Sequence, residues 1–142
     1  METVPQFGTK KEEIKYTDRP GVYAVVENNK GELAVVEVNG KYFLLGGGLD
    51  KEEAEESGLK REILEETGRE IKTAVFLGRA NQYVDAKDGY FNKLGNFYKV
   101  ELGEEIIDDS ESDHTFTWIT KEEFKSKGAQ EFQIWAVKSL GI

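Results

Sequence analysis

The sequence has 142 residues, enough for one domain with a hydrophobic core, and its formal net charge is −9. Such an acidic chain without a basic stripe repels phosphate backbones, so nucleic acid is not a predicted partner. It contains no cysteine, which excludes a disulfide framework, a thiolate metal site and a cysteine nucleophile. No signal-like or membrane-spanning apolar run is evident, so we expect a cytoplasmic protein without a membrane partner.

The first half of the chain predicts three short strands and then a helix. Residues 22–27 and 33–38 are β-branched runs, and the turn residues between them predict a hairpin. The dipeptide Asn39-Gly40 predicts a second turn, which leads into a strand over residues 42–45. Three glycines follow, and then a charged helix that is predicted to end at Gly68.

The second half begins with two further predicted strands, over residues 71–83 and 94–102. A loop over residues 85–89 separates them. An acidic loop, residues 103–113, then leads into a short strand over residues 115–119.

Two helices are predicted to close the chain. Thr120 and Glu123 have the spacing of a capping box, which predicts that a helix begins there. Residues 131–140 predict a last helix, whose apolar side chains we assign to the core: Ile134, Trp135, Val137 and Leu140. The order of elements predicts a single domain, residues 1–142, with a mixed sheet and packed helices, an α/β or α+β sandwich.

Three carboxylates share one face of the first predicted helix. Because each helical residue turns about 100°, Glu62, Glu65 and Glu66 fall within an arc of about 100°. Like charges this close are destabilising unless a positive group lies among them, and Arg61 can neutralise Glu65 four residues on. Clustered oxygen ligands suit Mg²⁺ or Mn²⁺. A solvated acidic helix remains the alternative for each carboxylate taken singly.

The glycines before the helix, Gly46, Gly47 and Gly48, let the backbone approach a ligand closely. Their carbonyl groups can contribute to a metal site. Backbone N–H groups and the helix N-terminus can face phosphate oxygens. Carboxylates beside a glycine turn therefore indicate a site that handles phosphate groups.

The spacing of these residues resembles the Nudix box, which would occupy residues 47–69. Its fixed positions are matched in order by Gly47, Glu53, Arg61, Glu62, Glu65, Glu66 and Gly68, and Ile63 fills an apolar position. Three positions depart from the family pattern: Leu45 replaces a common proline, Gly58 lies inside the helix, and Arg69 fills an apolar slot. The resemblance implies a Nudix-type α/β/α sandwich with a mixed β-sheet.

The resemblance also implies a hydrolase that cuts a phosphoanhydride bond, with Mg²⁺ or Mn²⁺ as cofactor. Glu62, Glu65 and Glu66 would ligate the metal together with the backbone carbonyl of Gly46 or Gly47. Arg61, Glu62 and Glu65 would form the catalytic group, and Glu53 would orient the loop–helix junction. The general base stays open between Glu62 and a carboxylate of the later acidic loop. There, Glu111 and Asp113 are the candidates for a base or a further metal ligand.

The expected substrate is a small nucleotide: a nucleoside triphosphate, a nucleotide sugar or a similar diphosphate. Gly47 and Gly48 are predicted to contact it, and Tyr83 and Phe97 are predicted to offer faces for base stacking. Strand alternation places Phe97 and Tyr98 on opposite faces, so at most one of that pair lines the site. A non-catalytic Nudix-like nucleotide sensor and a plain acidic interaction domain are the competing hypotheses. The sequence leaves a homodimer open.

Overall fold

A computed structural model describes residues 4–106 and 116–140 of the chain. The strands are β1 (Gln6–Phe7), β2 (Thr17–Val25), β3 (Leu33–Val38), β4 (Lys41–Gly48), β5 (Arg69–Ala86), β6 (Gly89–Glu105) and β7 (Phe116–Ile119). The helices are α1 (Glu55–Thr67), α2 (Lys121–Lys127) and α3 (Glu131–Ser139). None of these described helices is long and apolar enough to cross a membrane.

The strands form one mixed sheet in the order β1-β5-β6-β2-β4-β3-β7. The pairs β1–β5 and β2–β6 are parallel, and the other neighbouring strands are antiparallel. This arrangement brings β4, which ends in the glycines, to the centre of the sheet beside β2. The predicted mixed sheet with packed helices is therefore confirmed.

The two faces of the sheet are covered by different helices. Along β2, Val22 and Ala24 pack in one cluster with Leu59 and Ile63 of α1. Because side chains alternate along a strand, the intervening Tyr23 points to the other face, where it joins residues of α2 and α3. The sheet thus lies between α1 on one side and α2 with α3 on the other, as the predicted α/β/α sandwich requires.

Several local predictions are confirmed. Asn39 and Gly40 have φ angles of 51° and 79° in the turn between β3 and β4, as a two-residue hairpin of this type requires. Helix α1 ends at Gly68, whose φ of 72° lets its N–H donate to the carbonyl of Leu64. Thr120 accepts a hydrogen bond from the backbone N–H of Glu123 at 3.1 Å and so begins α2.

The predicted hairpin between the first two β-branched runs is wrong. Strand β4 lies between β2 and β3 in the sheet, and only one isolated bridge, Glu27 to Leu33, joins the two runs directly. Strand β2 also begins at Thr17, earlier than predicted, because its first residues pair with β6 despite Pro20. The loop predicted over residues 85–89 is shorter than expected, because pairing of β5 with β6 continues to Ala86 and Gly89. Long-range pairing decides the first two outcomes, whereas a tight hairpin between adjacent strands decides the third.

Phe97 belongs to the core and does not offer a face to a substrate. Its side chain is fully buried, with ring centroids 5.5 Å from both Tyr23 and Phe132. It therefore joins the sheet to α3, and the prediction that its ring stacks on a base is wrong. The sequence pattern of β6 could not separate these roles, because a buried aromatic and a binding aromatic occupy the same alternating positions.

We expect Phe97→Ala to lower the free energy of unfolding by about 3–5 kcal/mol, because the substitution leaves a cavity among the rings. Urea denaturation followed by fluorescence measures this loss. Val75, which is 59% exposed on β5, provides the control. Val75→Ala should cost about 1 kcal/mol or less, the range of strand propensity. Equal losses in the two variants would contradict the placement of Phe97.

Candidate active site

The centre of the site is the glycine end of β4, where it pairs with β2. Gly46 has a φ of 130°, and a Cβ there would overlap the carbonyl oxygen of Val22. Only glycine fits this conformation and this close approach. The backbone N–H of Gly46 donates to Oε1 of Glu66 at 2.7 Å.

The second glycine, Gly47, lies against the carboxylate of Glu62, which is also on α1. A Cβ at Gly47 would be only 2.7 Å from Oε1 of Glu62. The missing side chain therefore makes room for the Glu62 carboxylate directly on the backbone of β4. The structure thus brings together Gly46, Gly47, Glu62 and Glu66 as the sequence predicted, with the two glutamates on the same helical face.

Arg61 connects the helix to the loop that follows β4. Its Nε and Nη2 donate to the two carboxylate oxygens of Glu53 at 2.9 and 2.8 Å. Nη2 also donates to the carbonyl of Gly48 at 3.1 Å, and Nη1 donates to Glu62 at 3.1 Å. Glu65 lies farther away, at 3.6 Å from Nη1. The helical spacing predicted that Arg61 pairs with Glu65, whereas its bidentate partner is Glu53.

Glu53 holds the loop–helix junction from the other side. Its Oε1 accepts from the backbone N–H of Asp50 at 2.9 Å. The pKa of Glu53 is lowered to about 2. The hydrogen bonds from Arg61 are the largest cause, and the hydrogen bond from the Asp50 N–H is the next largest. Glu53 is therefore an ionised link between the loop and α1 at neutral pH, in the place expected for an orienting residue.

The structure explains two of the three departures from the Nudix pattern. A glycine inside a helix lowers its stability, but a Cβ at Gly58 would overlap the side chain of Leu49, so the glycine lets the loop pack onto the helix. Arg69 begins β5, and its guanidinium donates to the carbonyl of Gly103 at 3.3 Å. Leu45 is fully buried beneath α1, and nothing in the structure explains why it replaces proline.

The carboxylates are partly withdrawn from water. Burial is the largest cause that raises the pKa of Glu66 to about 7, and nearby Glu62 and Glu65 raise it further. Burial likewise raises the pKa of Glu62, although Arg61 opposes the shift. A divalent cation would relieve this crowding, and carboxylate and carbonyl oxygens are the donors that Mg²⁺ and Mn²⁺ take. The residues thus fit such a cation by donor type and by charge.

Within residues 4–106 and 116–140, no three acidic, histidine or cysteine side chains converge closely enough to hold a metal ion. Nη1 of Arg61 bridges Glu62 and Glu65 in this arrangement. Two of the predicted metal ligands, Glu111 and Asp113, lie outside the described residues.

A cleft of about 410 Å³ opens beside the glycines. Its wall includes Gly46, Gly47, Gly48 and Glu66, so the predicted glycines do face a cavity. The remaining lining residues are Arg19, Tyr23, Val36, Val38, Phe43, Leu44, Phe91, Lys93 and Gln133.

The predicted stacking residue Tyr83 is not part of this cleft. Its ring packs edge-on against Tyr16, with the centroids 5.0 Å apart. Three lining residues were not predicted from the sequence: Lys93, Phe43 and Gln133. Lysine, phenylalanine and glutamine carry no local signal of a cavity, because the order of the strands and the packing of α3 on the sheet determine which residues meet.

The NUDIX domain family model matches residues 17–138. Among solved structures, the chain resembles a NUDIX hydrolase from Nitrosomonas europaea, with a TM-score of 0.69 and 18% identity, covering 86% of this chain and 87% of that one. It also resembles the mutator protein MutT from Bacillus halodurans, with a TM-score of 0.65 and 18% identity, covering 84% and 80%. A MutT protein from Methanosarcina mazei Go1 gives a TM-score of 0.61 and 20% identity, covering 87% and 92%. No curated protein sequence matches the chain significantly.

These identities show a shared fold, and the family match extends over most of the chain. The α/β/α sandwich with its glycine turn and acidic helix is the Nudix architecture that the spacing of the box implied. The chain belongs to the Nudix hydrolase family.

We expect Arg61→Met to lower the free energy of unfolding by about 1–3 kcal/mol, because Glu53 and Glu62 lose hydrogen bonds to a charged partner. Thermal and urea unfolding measure the change. Lys72→Met is the control, since Lys72 forms only an exposed ion pair with Glu101. That variant should lose less than about 1 kcal/mol. If both substitutions cost the same, Arg61 does not connect the loop to the helix as described.

Proposed function

We propose that the protein is a Mg²⁺-dependent pyrophosphohydrolase that cuts a phosphoanhydride bond in a nucleoside diphosphate linked to another group. The observation that carries this proposal is the pair of half-buried carboxylates, Glu62 and Glu66, held against the backbone of Gly46 and Gly47. Two desolvated carboxylates on a glycine backbone that lines a cleft, one of them (Glu66) in the cleft wall itself, suit a cation that binds diphosphate oxygens.

Glu62, Glu65 and Glu66 would hold the metal, with the carbonyl of Gly46 or Gly47 as a further donor. Bound Mg²⁺, or Mn²⁺, would neutralise the diphosphate and favour attack by water on phosphorus. Arg61 keeps the Glu62 carboxylate in position and supplies the positive charge that lets three glutamates share one helical face.

The proton from the attacking water requires a base near the phosphate. Glu62 is one candidate, because its carboxylate lies against Gly47, which lines the cleft. Glu111 and Asp113, which precede β7 in the chain, are the other candidates. A nucleoside monophosphate is the expected product.

A substrate panel tests the activity directly. The purified protein is incubated with Mg²⁺ and a series of nucleoside triphosphates and nucleoside diphosphate sugars, and the products are identified by chromatography. Cleavage that stops on addition of a chelator supports the proposal. Nucleotide binding that raises Tm without any cleavage would instead indicate a sensor module.

We expect Glu65→Gln to lower kcat by at least about tenfold, because one charged oxygen ligand is lost. Steady-state kinetics with the best substrate of the panel measures this effect. Glu56→Gln is the matched control, since Glu56 is exposed in the first turn of the same helix. Unchanged turnover in Glu65→Gln would contradict the assignment of this residue to the metal site.

We expect Gly47→Ala to weaken Mn²⁺ binding by about tenfold or more, because the new methyl group displaces the Glu62 carboxylate. Titration calorimetry measures the affinity. At the neighbouring Gly48, the nearest heavy atom to an added Cβ is 4.0 Å away. Gly48→Ala should therefore retain Mn²⁺ affinity. Equal Mn²⁺ affinities in the two variants would show that Glu62 is not a ligand of the metal.

A further inference from the structure

The residues that line the cleft change from cationic at one end to apolar at the other. Neighbouring strands run in the order β6, β2, β4 and β3, and each contributes to the wall. Lys93 on β6 and Arg19 on β2 form one end, and the glycines of β4 lie in the middle beside Glu66. Val36 and Val38 of β3 form the other end, which is apolar. A ligand that lies across the strands therefore meets cations on one side of the glycines and apolar groups on the other.

Arg19 and Lys93 are direct neighbours in the parallel pairing of β2 with β6. In the part of the chain that the structure describes, neither has a carboxylate partner in a salt bridge or hydrogen bond. The guanidinium of Arg19 lies over the ring of Phe91, with its carbon 4.0 Å from the ring centroid. Burial lowers the pKa of Lys93, and the charge of Arg19 lowers it further.

Like charges on adjacent strands are destabilising. A neighbouring pair of cations such as Arg19 and Lys93 is unexpected in this chain, because its 28 acidic residues outnumber its 19 basic ones. Most available cations of such a chain can find acidic neighbours. Arg19 and Lys93 both line the cavity without a salt bridge in the described part of the chain, so their charges favour an anion at that end of the cleft. Binding of an anionic group between them would remove the repulsion and would regain hydrogen bonds to charged donors.

The opposite end suits a different chemical group. Val36 is paired with Phe43 in the β3–β4 hairpin, and both line the cleft together with Val38. An aromatic ring with aliphatic neighbours offers a surface for a nucleobase. The glycines and Glu66 lie between this end and the cations, where the proposed function places the anhydride.

We propose that Arg19 and Lys93 bind an anionic group that the substrate carries beyond the anhydride, on the side opposite the base. The preferred substrate class is then a nucleoside triphosphate, whose terminal phosphate reaches the cationic end, rather than a nucleoside diphosphate linked to a neutral sugar. This inference rests on the proposed function, because it takes the glycines of β4 as the position of the anhydride.

The test compares two substrates of one nucleoside, its triphosphate and its diphosphate hexose. We expect Lys93→Gln to lower kcat/KM for the triphosphate by about 10- to 100-fold, the loss of a hydrogen bond to a charged group. The value for the diphosphate hexose should stay unchanged. Lys99→Gln is the matched control, because Lys99 is exposed on the same strand outside the cleft. Lys93→Arg retains the charge and should keep most of the activity on the triphosphate.

Three outcomes would overturn the assignment. These are equal losses on both substrates, no loss on the triphosphate, and a wild-type enzyme that cuts diphosphate hexoses but not triphosphates. Melting provides the control for the fold: Lys93→Gln without ligand should melt at or above the wild-type temperature, since it removes a repulsion. A clearly lower Tm would show that Lys93 supports the fold, and would also overturn the assignment.

A wild-type protein that cuts neither substrate would refute the proposed function, and the cation pair is then tested by binding alone. The probe is a non-hydrolysable methylene-bridged triphosphate analogue with Mg²⁺, measured by calorimetry. An affinity at least about tenfold weaker in Lys93→Gln than in Lys99→Gln supports the anion site. Equal affinities, or no binding to the wild type, would overturn it.

Discussion

The site depends on how one guanidinium is shared among several carboxylates. Arg61 donates to both oxygens of Glu53 and also to Glu62, so it joins the loop after β4 to the middle of α1. Without this positive charge the acidic face of α1 would repel itself and the loop. Gly58 lets the loop approach, because a side chain there would overlap Leu49. The junction between the loop and α1 thus depends on one electrostatic and one steric requirement.

The same arrangement determines what the glycines can do. Gly46 and Gly47 allow β4, β2 and two glutamates to meet at distances that any side chain would prevent. The carboxylates of Glu62 and Glu66 become partly buried as a result, which makes their charge costly in the absence of a cation. A hard divalent ion would offset this cost, and under the proposed function the adjacent cleft would admit the diphosphate.

The sequence predicted the features that depend on neighbours in the chain. Gly68 ends α1 and Asn39 turns between β3 and β4, because backbone conformation at these residues is decided locally. Features that depend on strand order were not predictable. The insertion of β4 between β2 and β3, the burial of Phe97 and the meeting of Arg19 with Lys93 all require long-range pairing. The glutamates of the site were predictable because they share a single helix.

We propose that the acidic face of α1 and the glycine backbone together hold a divalent cation. Anomalous diffraction from crystals soaked in Mn²⁺ would locate that cation. We expect one or more anomalous peaks within coordination distance of Glu62, Glu65 and Glu66, beside the carbonyl of Gly46 or Gly47. Crystals that show no peak there, with these carboxylates still bound only to Arg61 and the backbone, would contradict it.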